Sequence, residues 1–353
     1  MTLYIDESIR TTERAFPDQG RYGYLRYDMN ENPEGLPKEF VDSVLAEITP
    51  EFLAIYPEPD VFLRKYAEFV GAGFQNVVAT NGSDMAIRYL LEIFCGKGHE
   101  VVTVAPSFEM YGVNCSVLGL THVPVQYKDD LTMDVEKIVD AIGPQTDVVV
   151  LLNPNNPVGN VYSEDEAKRI VRTAQENNAL VIVDEAYHYF YGRTFIDLAL
   201  SEPNVALLRT FSKLFSIAAC RLGLIIANEN IIKYVKNAKL TFDANAIALK
   251  FGERILENPE LVKSLIDTER LGREHTLDCL SRKGYEVRDC KGNFIFVRSR
   301  RKPEDVAHDL RVENKILVKY WQKGLLAPYL RVSTGSIAAM DRFIEPFLEI
   351  DGR

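Results

Sequence analysis

Six short apolar runs, "NVVAT", "EVVTVA", "DVVVLLN", "LVIVDE", "VALLRT" and "LGLIIA", recur between residues 76 and 227. Each is β-branched or leucine-rich throughout rather than alternating in and out, which is the pattern of strands covered on both faces. Segments with helical spacing lie between them. Ile87, Leu90, Leu91 and Phe94 fall at i, i+3, i+4 and i+7, as do Ala167, Ile170, Val171 and Ala174. Ser163, three residues before Glu166, reads as a capping box opening the second of these helices. A chain patterned this way folds as an α/β domain, with a mostly parallel central sheet flanked by helices.

The pattern changes after residue 228. "ENIIKYVKNAKLTFDANAIALKFGERILEN" is mostly helix-forming, and a further helical stretch runs to about Arg282. Strand-like segments follow at "NFIFVR", "ILVKYW" and "YLRVST". The organisation expected is an extended arm over 1–40, packing with the small domain, then a large α/β domain over 41–244 and a smaller α+β domain over 245–353.

Composition narrows the function. With 46% hydrophobic and 26% charged residues the chain is globular, and its formal charge of −10 argues against nucleic-acid or anionic-membrane partners. The opening "MTLYIDESIR" has no signal-peptide pattern, and runs such as "VVVLL" are too short to span a bilayer. Five cysteines without a C-x-x-C pair fit reduced thiols in the cytoplasm. The five histidines show no zinc spacing, so no metal is expected.

In open α/β sheets, ligands gather beyond the carboxyl ends of the strands. There "NVVAT" runs into "NGSD", a glycine turn at a helix start that either presents N–H groups to an anion or is a simple N-cap by Ser83 or Asp84. "NPNNPVGN" holds Asn153, Asn155 and Asn156 among prolines that restrict the backbone. Asp184 leaves an apolar strand and needs a partner or solvent. "TFSKLFSIAACRLG" sets Lys213 and Arg221 among apolar residues, where each either snorkels to water or is paired.

One hypothesis joins these loops. Thr210, Ser212 and Arg221 bind a phosphate beside the "NGSD" helix end, Lys213 supplies an amine, and Asp184 supplies a negative charge. Pyridoxal phosphate needs that set: donors for its phosphate, a lysine for its aldehyde, and a carboxylate to keep its ring nitrogen protonated.

The same residues carry a resemblance. "NENPEG", "IYPEP", "NGSD", "NPNNPVG", "DEAY", "FSK" followed by Arg221 and Gly223, and a late "LRVSTG" stand in order along nearly the whole chain. In these the chain resembles the fold-type-I pyridoxal-phosphate aminotransferases, most of all histidinol-phosphate aminotransferase. The resemblance implies that Lys213 forms the Schiff base, kept neutral by its apolar setting, and moves the proton between substrate Cα and cofactor C4′. It implies that Asp184 pairs with the pyridinium nitrogen, and that Asn156 and Tyr187 bond the ring oxygen O3′. The phosphate would be held by Ser83, Asp84 (through backbone amides), Thr210, Ser212 and Arg221. Phe108 occupies the place of the aromatic ring that stacks on the cofactor. Tyr56 would reach the phosphate of the other subunit, which implies a homodimer. Arg331 would anchor the anionic group of a small-molecule amino donor, with Lys319 and Asn32 also on the substrate side, and a 2-oxo acid such as 2-oxoglutarate would accept the amino group.

Three positions depart from the pattern: Lys319 replaces the usual arginine, Asp243 the usual asparagine, and "AAC" stands where a glycine is common. Lysine lacks the bidentate fork of arginine, and a carboxylate near a phosphate subsite is unfavourable. An aromatic or other amino-acid aminotransferase and a phosphothreonine decarboxylase therefore stay open. A nicotinamide-dependent dehydrogenase is disfavoured because "VGAGFQN" lacks a third glycine and follows a helical pattern. A non-catalytic relative is disfavoured because Lys213 is present.

Overall fold

The six apolar runs form six strands of one seven-stranded sheet in the computed structural model. The structure describes residues 3–12 and 20–353. In chain order the strands are β1 (Leu25–Tyr27), β2 (Val77–Asn81), β3 (Glu100–Ala105), β4 (Thr121–Gln126), β5 (Thr146–Leu152), β6 (Leu180–Asp184), β7 (Val205–Thr210), β8 (Leu222–Ala227), β9 (Val287–Gly292), β10 (Phe294–Arg298), β11 (Ile316–Tyr320) and β12 (Tyr329–Ser333). The large sheet has the order β2-β8-β7-β6-β5-β3-β4. Its pairs are parallel except those of β8, which runs antiparallel to both β2 and β7. The start of β8 therefore lies beside the carboxyl ends of its neighbours, and Arg221 sits at that start.

Apolar side chains on the two faces of this sheet enter two separate buried clusters, as continuous apolar strands require. Helix Glu164–Glu176 begins with the capping box of Ser163 and Glu166. The one strand without an apolar run is β4, an edge strand whose residues are mostly exposed.

The second sheet has the order β1-β11-β12-β10-β9, and its core packs under helices Pro259–Arg282, Pro303–Asn314 and Ile337–Asp351. Two features bear on the arm over 1–40 and on the boundary at residue 244. β1 pairs in parallel with β11, whereas the preceding helix Glu7–Thr11 lies on helix Met110–Leu118, with Ser8 Oγ donating to the Val117 carbonyl at 3.1 Å. Helix Ala246–Leu256 packs on the large unit: a Cβ at Gly252 would come within 2.6 Å of the Phe62 ring and 2.9 Å of Leu222. Among the described residues no helix is long and apolar enough to cross a membrane.

Candidate active site

The loops leaving β2, β3, β5, β6 and β7 converge with the start of β8. Two glycines permit the closest approach. Gly82 has φ +73°, and a Cβ there would meet Arg221 Nη2 at 2.3 Å; a Cβ at Gly223 would meet Gly82 C at 2.3 Å and Ser83 N at 2.4 Å. Arg221 is thereby laid across the first turn of helix Gly82–Phe94. Thr210 Oγ1 donates to Ser212 Oγ at 3.0 Å, and Arg221 Nη1 donates to the same hydroxyl at 3.3 Å. A helix start, two hydroxyls and a guanidinium on one small surface suit a phosphate. Arg221 also pairs with the Asp84 side chain at 3.0 Å.

Asp184 is buried, and its carboxylate accepts from the Tyr111 phenol at 3.0 Å and from the Ala186 amide at 3.1 Å. No basic side chain pairs with it among the described residues. Burial pushes its carboxyl up to about 6, against the lowering effect of those two donors. A buried acid without a cation is what a protonated ring nitrogen would complete. Phe108, in the loop after β3, packs partly buried against the same cluster as Tyr111.

Lys213 is only half-buried, although Phe211, Leu214, Phe215 and Ile217 around it are buried. The apolar residues of this stretch face the core and the cations face the crevice. Lys213 Nζ donates to the Met29 carbonyl at 2.9 Å and lies 5.8 Å from the centre of the Tyr187 ring. The Tyr187 hydroxyl accepts from Asn30 Nδ2 at 3.0 Å. Arg331, buried on β12, donates from Nη1 to Asn156 Oδ1 at 2.7 Å and from Nη2 to the Asp28 carbonyl. Asn153 and Asn155 are buried scaffold: Asn153 Oδ1 accepts from the Tyr162 amide, and Asn155 bonds the Val158 amide and Ser107. Of the three asparagines, Asn156 alone reaches Arg331.

Three expected residues stand apart from this group. Tyr56 is exposed, its ring stacked on Phe242 at 4.2 Å. Lys319 is exposed on β11, directly opposite Arg331 in the antiparallel pair. Asn32 donates to Ser216 Oγ at 2.9 Å and to the Gly35 carbonyl. Asp243 accepts from the Asn81 amide at 3.2 Å, and burial raises its carboxyl pKa. Its charge thus sits at the start of helix Gly82–Phe94, where it satisfies a free N–H. Tyr111 and the 28–30 backbone were not foreseen. Tyr111 follows Phe108 by three residues, a spacing that carries both towards one ligand, whereas backbone carbonyls leave no trace in sequence.

Sheet, crevice and clustered side chains describe an α/β enzyme whose crevice gathers a helix start, two hydroxyls, a guanidinium and a lysine. The chain belongs to the class I and II aminotransferases, whose family model it matches over residues 28–347. It is 33% identical over 331 residues to the histidinol-phosphate aminotransferase of Thermoanaerobacter pseudethanolicus, covering 92% of each chain. The histidinol-phosphate aminotransferase of Sinorhizobium meliloti, solved with pyridoxal-5'-phosphate, superposes with a TM-score of 0.87 at 20% identity, covering 100% of this chain and 98% of that one. The L-threonine-O-3-phosphate decarboxylase of Porphyromonas gingivalis does so with a TM-score of 0.78 at 20% identity, covering 93% of this chain and 100% of that one. Transaminase and decarboxylase share the fold, so the fold alone does not choose between them.

Proposed function

We propose that this chain is a pyridoxal-phosphate-dependent aminotransferase that takes the amino group from histidinol phosphate and passes it to a 2-oxo acid. The observation that carries the cofactor is the placement of Asp184, buried without a cation, in one crevice with Lys213 and the Arg221–Ser212–Thr210 cluster. The donor reading is supported by the curated relatives and by two cations, Arg331 and Lys319, opposite each other on the small sheet. Residues directly opposite on one face of an antiparallel pair have Cβ atoms about 4.5–5.5 Å apart, so both can serve one anion.

Bound pyridoxal phosphate supplies an aldehyde that takes up amines and a ring that draws electron density from the donor's Cα. Thr210, Ser212, Arg221 and the amides of Ser83 and Asp84 would hold its phosphate, the Asp84 side chain giving up Arg221 to that stronger anion. Asp184 would keep the ring nitrogen protonated, and Asn156 and Tyr187 would donate to the ring oxygen. Phe108 would stack on the ring. Lys213 would hold the cofactor and take the proton from the donor's Cα. Arg331 fixes the donor's anionic group, assisted by Lys319, and Asn32, bonded to Ser216, steadies the Lys213 loop on the substrate side.

The protein acts as a homodimer, in which the exposed Tyr56 of each subunit reaches the phosphate of the other. Its five free cysteines suit the reducing cytoplasm. A coupled assay for glutamate formation from 2-oxoglutarate tests the reading. Histidinol phosphate should outperform phenylalanine and tyrosine as donor, phosphothreonine should release no carbon dioxide, and Lys213→Ala should abolish turnover. Preference for an aromatic donor would make the chain a different aminotransferase; carbon dioxide release would make it a decarboxylase.

A further inference from the structure

A cavity of about 260 Å³ is lined in part by Lys213. Asn32, Glu34, Lys213, Glu269, Asn293 and Thr334 contribute polar groups to its lining, whereas Asp184, Asn156, Tyr187, Arg221 and Arg331 do not touch it. From Asn293 in the lining, a buried hydrogen-bonded chain leads to Tyr187. Asn293 Nδ2 donates to the Asn30 carbonyl at 3.0 Å, Asn30 Nδ2 donates to the Tyr187 hydroxyl at 3.0 Å, and the Asn30 amide donates to Ser333 Oγ at 2.8 Å. Asn30 is 1% exposed and Asn293 2% exposed, so these bonds are closed to solvent.

Leu36, Pro37, Phe190, Leu214, Leu261 and Leu265 form the apolar sides. The unused polar atoms are acceptors. Asn293 Oδ1 is buried with no hydrogen-bond partner. Glu269 is buried, and its two hydrogen bonds, from Thr334 Oγ1 at 2.6 Å and Arg273 Nε at 3.2 Å, both fall on Oε1. Oε2 takes none among the described residues. Arg273 is the cation on Glu269, at Oε1, and is shared with Asp289; Lys291 pairs with Asp289, and Lys213 Nζ is bonded to Met29. A buried carboxylate with one oxygen free of donors, lining an apolar chamber, suits a ligand that brings N–H donors on an apolar body. The size is below the roughly 300–1,000 Å³ typical of drug-sized pockets, so the occupant is small.

We infer that this cavity is a second ligand site, for a small organic cation of the amidinium or guanidinium kind with an apolar body. The head donates to the free oxygen of Glu269, and the body lies against the leucines and Phe190. Segment 32–37, the Lys213 loop, helix Pro259–Arg282 and the 334–336 turn all meet there, so occupancy bears on the loop that carries Lys213.

Benzamidine is the probe, because its amidinium carries N–H donors on a flat apolar ring. Equilibrium dialysis against the cofactor-loaded protein should show one saturable site per chain, unaffected by saturating amino donor. Glu269→Gln should weaken binding at least tenfold. Ser264 is exposed on the rim, and Ser264→Trp should fill the mouth and block binding with the fold intact, which decides the matter if Glu269→Gln fails to fold. Absence of saturable binding overturns the inference, as does binding indifferent to Ser264→Trp. Displacement by the amino donor overturns it too, by placing benzamidine in the cofactor crevice. Dialysis does not depend on turnover, so the result stands whichever amino donor the protein uses.

Discussion

The Tyr111 phenol donates a 3.0 Å hydrogen bond to the buried Asp184 carboxylate. Asp184 has one other protein donor among the described residues, the Ala186 amide, and the two together oppose the cost of burying the charge. Tyr111→Phe keeps the ring and removes that donor. A hydrogen bond to a charged group is worth roughly 1.5–3 kcal/mol, and a decade of rate is about 1.4 kcal/mol. Proton removal from the donor's Cα, read by single-turnover kinetics, should slow by about one to two decades with little change in KM. Unaltered kinetics would reduce Tyr111 to a packing residue.

The pKa of Asp184 also predicts a stability profile. Burial raises its carboxyl from 3.8 to about 6, so the folded state binds its proton more tightly than the unfolded chain does. Stability from this group is therefore present below pH 3.8 and is lost as pH rises to about 6. Cofactor-free Asp184→Asn protein should be more stable than the cofactor-free wild type above that window and should lose the advantage below it. Urea denaturation at several pH values measures the difference, and other buried acids such as Glu269 cancel in the comparison. A gap independent of pH would mean that Asp184 is ionised at little cost.

Periodicity revealed what depends on local apolar pattern and missed what depends on distant pairing. β6 reads as buried because every residue from Leu180 to Val183 is apolar, and all of them are buried. β4, "THVPVQ", sits at the sheet edge with mostly exposed residues, and such a strand has no apolar run to show. β1 is a strand only because it pairs with β11 almost three hundred residues later. The side chains of the crevice were legible since a phosphate, an aldehyde and a ring nitrogen demand particular chemical groups. The Met29 and Asp28 carbonyls that receive Lys213 and Arg331 were not, because every residue has a carbonyl and only the fold selects these two.

Lys319 and Arg331 face each other across β11 and β12 but differ in burial, and this separates their roles. Arg331→Ala should impair every donor, since Arg331 also holds Asn156 at 2.7 Å. Lys319→Ala should weaken kcat/KM for histidinol phosphate by about one decade, from the loss of a charged contact of roughly 1.5 kcal/mol. A donor without a phosphate should barely respond. Equal loss on both kinds of donor would show that Lys319 supports the sheet rather than the substrate.

Tyr56 makes no bond to its own crevice: it is 71% exposed and stacks on Phe242, itself 51% exposed. Exposed aromatic rings packed on each other, with Leu53 and Ile55 also exposed near Tyr56 in sequence and Ile247 near Phe242, suit a surface that a second copy covers. If Tyr56 serves the partner's phosphate, loss of Tyr56 and loss of Lys213 fall on different sites of a mixed dimer. Lys213→Ala and Tyr56→Ala chains should each be impaired alone, Lys213→Ala completely. Refolded together, they form hybrids in which one site carries both defects and the other carries neither. Such a mixture should regain about a quarter of wild-type turnover, since random pairing makes half of the dimers hybrid and each hybrid has one intact site of two. Activity no greater than the average of the two parent variants would place Tyr56 outside the partner's site, and a monomer in sedimentation would remove the shared site altogether.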